Sequence, residues 1–131
     1  MGVELSEAVR ALIDGRNYAA LATINADGGP QTSAMWVGRD GDDLLFSTVA
    51  GRLKERNLRR DPRVSVTIMD RENPERYTEI RGRASITPDP ERSLGNELSH
   101  KYDGHDAGPD APGAERVIIR VVAERVTGHV R

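Results

Sequence analysis

Between Ser47 and Asn57 the sequence reads STVAGRLKERN, an order of residue types suited to holding an anion. Ser47 and Thr48 place hydroxyls at the end of an apolar run, and Gly51 permits a tight backbone turn. The helix expected next begins with unpaired backbone N–H groups and the positive end of its dipole, which attract negative charge before any side chain is counted. Arg52 and Lys54 fall in its first turn, where each cation opposes the dipole at a cost of about 0.3–1 kcal/mol unless something negative is bound. Arginine offers phosphate a planar fork and lysine a mobile point charge, so the pair suits one phosphoryl group. Asn57, three residues after Lys54, lies on the same side of the helix and adds an amide.

The charge extends beyond this turn. From Arg52 to Arg63, six cations (Arg52, Lys54, Arg56, Arg59, Arg60, Arg63) stand against Glu55 and Asp61, a local +4 in a chain of formal net charge -2. For Arg59, Arg60 and Arg63 the ordinary expectation is a solvated face that balances nearby acids. Nucleic-acid binding is disfavoured, because no aromatics interleave the cations and the remaining residues sum to -6.

Other chemistry is thinly represented. The chain has no cysteine, which removes disulfides, thiolate metal sites and thiol catalysis together and fits a reducing compartment. His100, His105 and His129 lack metal-ligand spacing, so no metal is expected. No acid, base or nucleophile stands out as catalytic. Trp36, the only tryptophan, sits within a strand-like segment and belongs in a core or an interface, with the flank of a substrate pocket as the alternative.

The elements that must position these residues follow from patterning. At 131 residues the chain has the size of one domain, 1–131, and with 4% aromatics its core must be built from Val, Ile, Leu and Ala. Leu5, Ala8, Val9, Leu12 and Ile13 form one apolar helical stripe, stopped by Gly15 and Asn17. Strands are expected at 17–25, 30–40, 44–49, 63–70, 77–88 and 116–130, with turns at 26–29 and 40–43. A short helix at 52–60 ends before Pro62, a second covers 90–102, and 103–115 is too rich in Gly, Pro and Asp for regular structure. That segment and Tyr102 form either a lid or an idle surface loop.

Six strands in mainly hairpin order with few short helices argue for a small antiparallel barrel. Strands 18–24 and 117–122 are apolar on both faces, and a barrel has one interior, so the second face is expected to meet another subunit about a two-fold axis. The N-terminus carries acids early and has no apolar run of membrane-span or signal length, so no membrane association and a cytoplasmic location are expected.

The series FSTVAGRLKERNLRRDPRVSV, with PQTSAMWV one hairpin earlier and EIRGRASI after it, resembles the pyridoxamine-phosphate-oxidase-like split-barrel flavoproteins. More narrowly, it is similar to their deazaflavin-dependent branch, the coenzyme F-420 oxidoreductases, from about Leu12 to Val126. The resemblance implies a mainly β fold with short helices, a six-stranded antiparallel split β-barrel, in a homodimer with two cofactor sites at the subunit interface. It implies that Arg52 and Lys54 hold the cofactor phosphate with Asn57 in support, and that Ser47, Thr48 and Val49 line the ring or ribityl edge. Gln31, Thr32 and Ser33 would meet the polar side of the ring, an exposed polar strand face being the alternative for these three. Tyr77 would approach from the fifth strand, of either subunit.

The implied activity is hydride transfer between F-420 and an electron-poor small molecule, the cofactor carrying the chemistry. FMN is the alternative cofactor, in an oxidase or flavin reductase, because FMN-using relatives carry a basic helix here too. A non-catalytic F-420 carrier is the third reading. F-420 extends beyond its phosphate in a lactyl-oligoglutamate tail, and a +4 helix matches those carboxylates better than a single phosphate does.

Overall fold

The computed structural model describes residues 2–131. In chain order the elements are α1 (Glu7–Asp14), β1 (Ala19–Ile24), β2 (Pro30–Met35), β3 (Gly38–Asp40), β4 (Asp43–Val49), α2 (Leu53–Arg60), β5 (Arg63–Met69), β6 (Tyr77–Pro88), α3 (Ser93–Asp103) and β7 (Arg116–Gly128). The strands form one antiparallel sheet in the order β2-β1-β5-β6-β7-β4-β3. It has seven strands, not the six expected from the sequence.

The difference lies at Trp36 and Val37. The expected strand 30–40 divides there, β2 pairing with β1 while β3 pairs with β4 at the opposite edge. Val37 is fully buried, and its backbone groups find partners on α3: its N–H donates to the Tyr102 hydroxyl at 3.3 Å, and its carbonyl accepts from Lys101 Nζ at 2.7 Å. Side chains distant in sequence thus replace a ladder, satisfying backbone groups that burial would otherwise leave orphaned.

The two edge strands are also consecutive in sequence. Met35 and Gly38 are three peptide units apart, at most roughly 11 Å of chain, so the sheet must roll until its edges nearly meet. The rolled interior receives alternate residues: Leu21 of β1, Leu44 and Phe46 of β4, Val66 and Ile68 of β5, Ile80 of β6, Ile119 and Val121 of β7. Curvature concentrates at a β-bulge between Arg81 and Gly82, where β6 approaches β7 so closely that a Cβ on Gly82 would stand 2.0 Å from the Val122 carbonyl oxygen.

Helices close the ends. In α1, Ser6 caps the start by accepting from Val9 N–H, and Val9, Leu12 and Ile13 are buried as the stripe predicts, although Ala8 stays exposed. The last carbonyls of α1 are met from elsewhere: Asn17 Nδ2 donates to Leu12 O and Lys101 Nζ to Ile13 O. α3 begins three residues later than expected because both carboxylate oxygens of buried Asp89 accept from Ser93 and Leu94 N–H, which fixes the first turn. Residues 104–115 are largely irregular, as composition predicts, but they are tied to α3: Ser99 Oγ donates to His105 O, and Ala107 N–H to Asn96 Oδ1. Among the described residues no helix is long and apolar enough to cross a membrane.

Candidate functional site

The end of β4, the turn at Gly51 and the start of α2 form a basic corner. Ala50 N–H donates to Glu115 O, anchoring the strand end, and Gly51 turns the chain at φ +95°, a conformation that favours glycine. Arg52 occupies the helix N-cap in extended geometry, and its side chain caps nothing. Instead Glu55 folds back, and Oε1 accepts from Gly51 N–H at 2.8 Å. Glu55 is almost fully buried, which works against its ionisation, yet the Gly51 N–H and the Arg59 guanidinium outweigh that and hold its carboxyl below the usual range.

The cationic run therefore separates into two classes. Arg59 pairs with Glu55, and Arg63 with Asp61 at 2.7 Å, an interaction that brings the Asp61 pKa down to about 2. Arg60 donates to Ile24 O at 2.6 Å and to Asn57 Oδ1 at 3.1 Å. Arg52, Lys54 and Arg56 form no side-chain hydrogen bond or ion pair among the described residues. Lys54 is half-buried; burial pushes its amine down, and the neighbouring Arg52 charge adds to the effect. Two unpaired cations at the positive end of a helix are poised to receive a negative group.

Asn57 is already engaged within the fold. It is 1% exposed, and Nδ2 donates to Thr23 Oγ1 at 3.0 Å and Asn25 Oδ1 at 2.9 Å, so both amide hydrogens are committed within the protein. The contacts continue: Thr23 Oγ1 donates to Gln31 Oε1 at 2.6 Å, and Gln31 Nε2 donates to Ser33 Oγ at 2.9 Å. A polar relay thus runs from α2 through β1 to β2, holding Gln31 and Ser33 in register with the helix. Thr23, its central member, gave no signal beyond being one hydroxyl in an apolar strand.

The remaining expected residues divide by strand alternation. Thr48 is 4% exposed and points into the barrel, whereas Ser47 and Val49 lie on the outer face. Thr32 is exposed, opposite in sense to its neighbours Gln31 and Ser33. Tyr77 starts β6, while Thr48 sits beside Val117, which pairs with Pro88 at the other end of that strand. Eleven residues of strand, roughly 35 Å along the chain, separate Tyr77 from the basic corner; its ring lies against His129 instead, centroids 5.2 Å apart.

Ser47 leads to a feature the sequence did not disclose. It lines a cavity of about 290 Å³ between the sheet and α3, together with Trp36, Leu98, Arg92 and Arg116. Trp36 stacks on Tyr102, with centroids 5.3 Å apart and planes 4° from parallel, so it packs against the small buried cluster of Leu94, Leu98 and Tyr102 and also walls the cavity. Arg116 donates through Nε and Nη2 to Asp110 at 2.9 and 2.7 Å, and Arg92 Nε lies 3.1 Å from Asp110 Oδ2. Arg92 and Arg116 are 24 positions apart in sequence, and no linear pattern links them.

Comparison with known proteins gives the family. The family model described as pyridoxamine 5'-phosphate oxidase matches residues 5–129. Among solved structures, an F-420 reductase is 38% identical with a TM-score of 0.85, the match covering 94% of this chain and 98% of that one. A conserved hypothetical protein from Mycobacterium tuberculosis, Rv2991, is 30% identical with a TM-score of 0.76 over 95% of this chain and 84% of that one. General Stress Protein 26 of Bacillus anthracis, at 21% identity and a TM-score of 0.70 over 92% and 89%, shares the fold. With a rolled but unclosed seven-stranded antiparallel sheet, a basic corner after its fourth strand and a family match over nearly its whole length, this chain belongs to the pyridoxamine 5'-phosphate oxidase-like split-barrel family.

Proposed function

We propose that this protein is an oxidoreductase that uses coenzyme F-420 to reduce an electron-poor small molecule. The observation that carries the reading is the sorting of charges in and around α2: the last three cations of the run are engaged within the protein, and Arg52, Lys54 and Arg56 are left free among the described residues. Arg52 and Lys54 fit the cofactor phosphate, and Arg56 stands next in line for the carboxylates of a tail beyond it. The 38% identity to an F-420 reductase favours this cofactor over FMN.

When bound and reduced, F-420 supplies a hydride to the substrate, and a solvent proton completes the reduction. The protein's contribution is orientation and charge. Thr32 stands on the outer sheet face with Ser47 and Val49, so it meets the polar side of the ring while Ser47 and Val49 border it from β4, and Asn57 acts through Thr23 to hold β2 against α2. Gln31, Ser33 and Thr48 face the rolled interior and are the weakest members of the set.

The reading includes a homodimer working in the cytoplasm. Tyr77, distant from the basic corner within one protomer, reaches a cofactor only as the partner subunit's Tyr77. Supporting this, Ala22 and Ile24 of β1 line an open groove of about 310 Å³ on the outer sheet face, and Tyr18 and Met69 are exposed at 54% and 41%.

The test is a fluorescence titration of F-420 and FMN against the same sample at two salt concentrations. Saturable F-420 binding that weakens steeply with salt, and is tighter than FMN binding, is expected. A preference for FMN would transfer the protein to the FMN-using branch, and salt-independent F-420 binding would remove the tail from the basic helix. Turnover is checked by mixing reduced F-420 and protein with enone, quinone and nitroaromatic acceptors; no reoxidation with any would leave a carrier.

A further inference from the structure

The cavity beside Ser47 has one flat aromatic wall and one guanidinium wall. Trp36, backed by Tyr102, provides the first; Leu98 and Gly95 of α3 keep the space between apolar and open, since a Cβ on Gly95 would already reach within 3.5 Å of Ser47 Oγ. Arg92 and Arg116 provide the second, and the same two arginines also line a neighbouring cavity of about 370 Å³ that contains Asp110.

The arginine pair is incompletely satisfied. One carboxylate, Asp110, serves both: Arg116 engages it in a bidentate fork, so Arg92 Nε is within ion-pair range but off the line needed to donate, and it is buried without a hydrogen-bond acceptor. Arg92 is held in place by an unusual backbone, φ +59° immediately before α3, and by its Nη2 donating to Gly108 O. Left-handed geometry at a non-glycine residue is strained and persists where the surroundings over-determine it. Of the other acids nearby, Asp89 is committed to capping α3, and Glu115 borders the neighbouring cavity without an ion pair or hydrogen bond to either arginine among the described residues. Arg116 Nη1 turns toward Ser47 Oγ at 3.4 Å, on the cavity side.

We infer that this cavity is the substrate site, and that it takes a planar ring compound bearing a carboxylate, the ring against Trp36 and the carboxylate between Arg92 and Arg116. Asp110, carried on the irregular 104–115 segment, is then an internal stand-in for the ligand's carboxylate and competes with it. The inference rests on the proposed oxidoreductase reading for the word substrate, and on the cavity alone for the ligand class.

Trp36 is the only tryptophan, so its indole N–H is a single NMR signal in the labelled, cofactor-free protein. The probes are 4-nitrobenzoate and 4-nitrobenzamide, alike in ring and unlike in charge. The benzoate is expected to shift the Trp36 signal saturably and to bind at least about tenfold tighter than the amide, the scale of one charge-assisted hydrogen bond. Arg116→Gln should abolish that preference. Asp110→Asn, which removes the competitor, should tighten the benzoate severalfold and leave the amide unchanged, a gain that misfolding cannot imitate. Equal binding of the two probes, no shift with either, or an Asp110→Asn variant with an unaltered ratio would overturn the inference. Failure of F-420 to bind while the benzoate preference stands would remove the proposed function and leave the site.

Discussion

Lys54 is where stability and binding should pull in opposite directions. It lies half-buried in the first turn of α2, next to Arg52, with no acceptor or counter-charge among the described residues. A cation against the helix dipole costs about 0.3–1 kcal/mol, and Arg52 adds repulsion. Lys54→Met keeps the apolar stem and removes the charge, so the ligand-free variant should be more stable by about 0.5–1 kcal/mol. Its folded-state pKa is depressed, so the penalty is fully present below that value and fades as pH rises toward 10.5. The stabilisation by Lys54→Met should therefore be largest at neutral pH and vanish in strong alkali. Binding should move the other way: one charge-assisted contact to phosphate is worth about 1.5–3 kcal/mol, a loss of about ten- to 150-fold in F-420 affinity. Urea denaturation at several pH values and fluorescence titration measure the two sides. A variant that is less stable than the parent and binds F-420 equally well would refute both the vacancy of charge at this turn and the phosphate assignment.

Three further outcomes follow from the same structure. Asn57→Ala breaks three hydrogen bonds, one buried and two part-buried, and should cost about 2–4 kcal/mol in urea denaturation, with strong coupling to Gln31→Ala in a double-mutant cycle; full stability with lost cofactor binding would instead make Asn57 a direct contact. Gly82→Ala forces a Cβ into the Val122 carbonyl and should cost about 3 kcal/mol by thermal melting; a neutral result would deny the close approach at the bulge. Asp61, depressed to about 2 by Arg63, contributes stability that is present above pH 3.8 and is lost as pH falls toward about 2. Asp61→Asn should therefore flatten the acid limb of the stability profile in that window, and an unchanged limb would place the acid sensitivity elsewhere.

Particular residues explain what patterning could and could not reveal. Val64, Val66 and Ile68 alternate in the sequence and are buried on one face in β5, and β6 spans 77–88 as expected. The division of strand 30–40 was invisible because PQTSAMWVGRD continues to look extended through Trp36 and Val37; the break depends on Lys101 and Tyr102, more than sixty positions away. Spacing put Asn57 on the side of Lys54, but it could not show that Thr23 and Asn25 already use its amide. The 104–115 segment was legible as irregular, while its role as carrier of Asp110 was not, since one of the arginines it joins immediately precedes α3 and the other opens β7.

By itself the sequence determined the strand periodicity, the helix that starts after Gly51 and the surplus of cations on it, because dihedral preference, alternation and charge are local properties. Tertiary structure decided which of those cations remain free, which strand edges meet, and that Trp36 and two distant arginines share a cavity. Those outcomes depend on which partner each polar group finds on folding, and the partners lie tens of residues away.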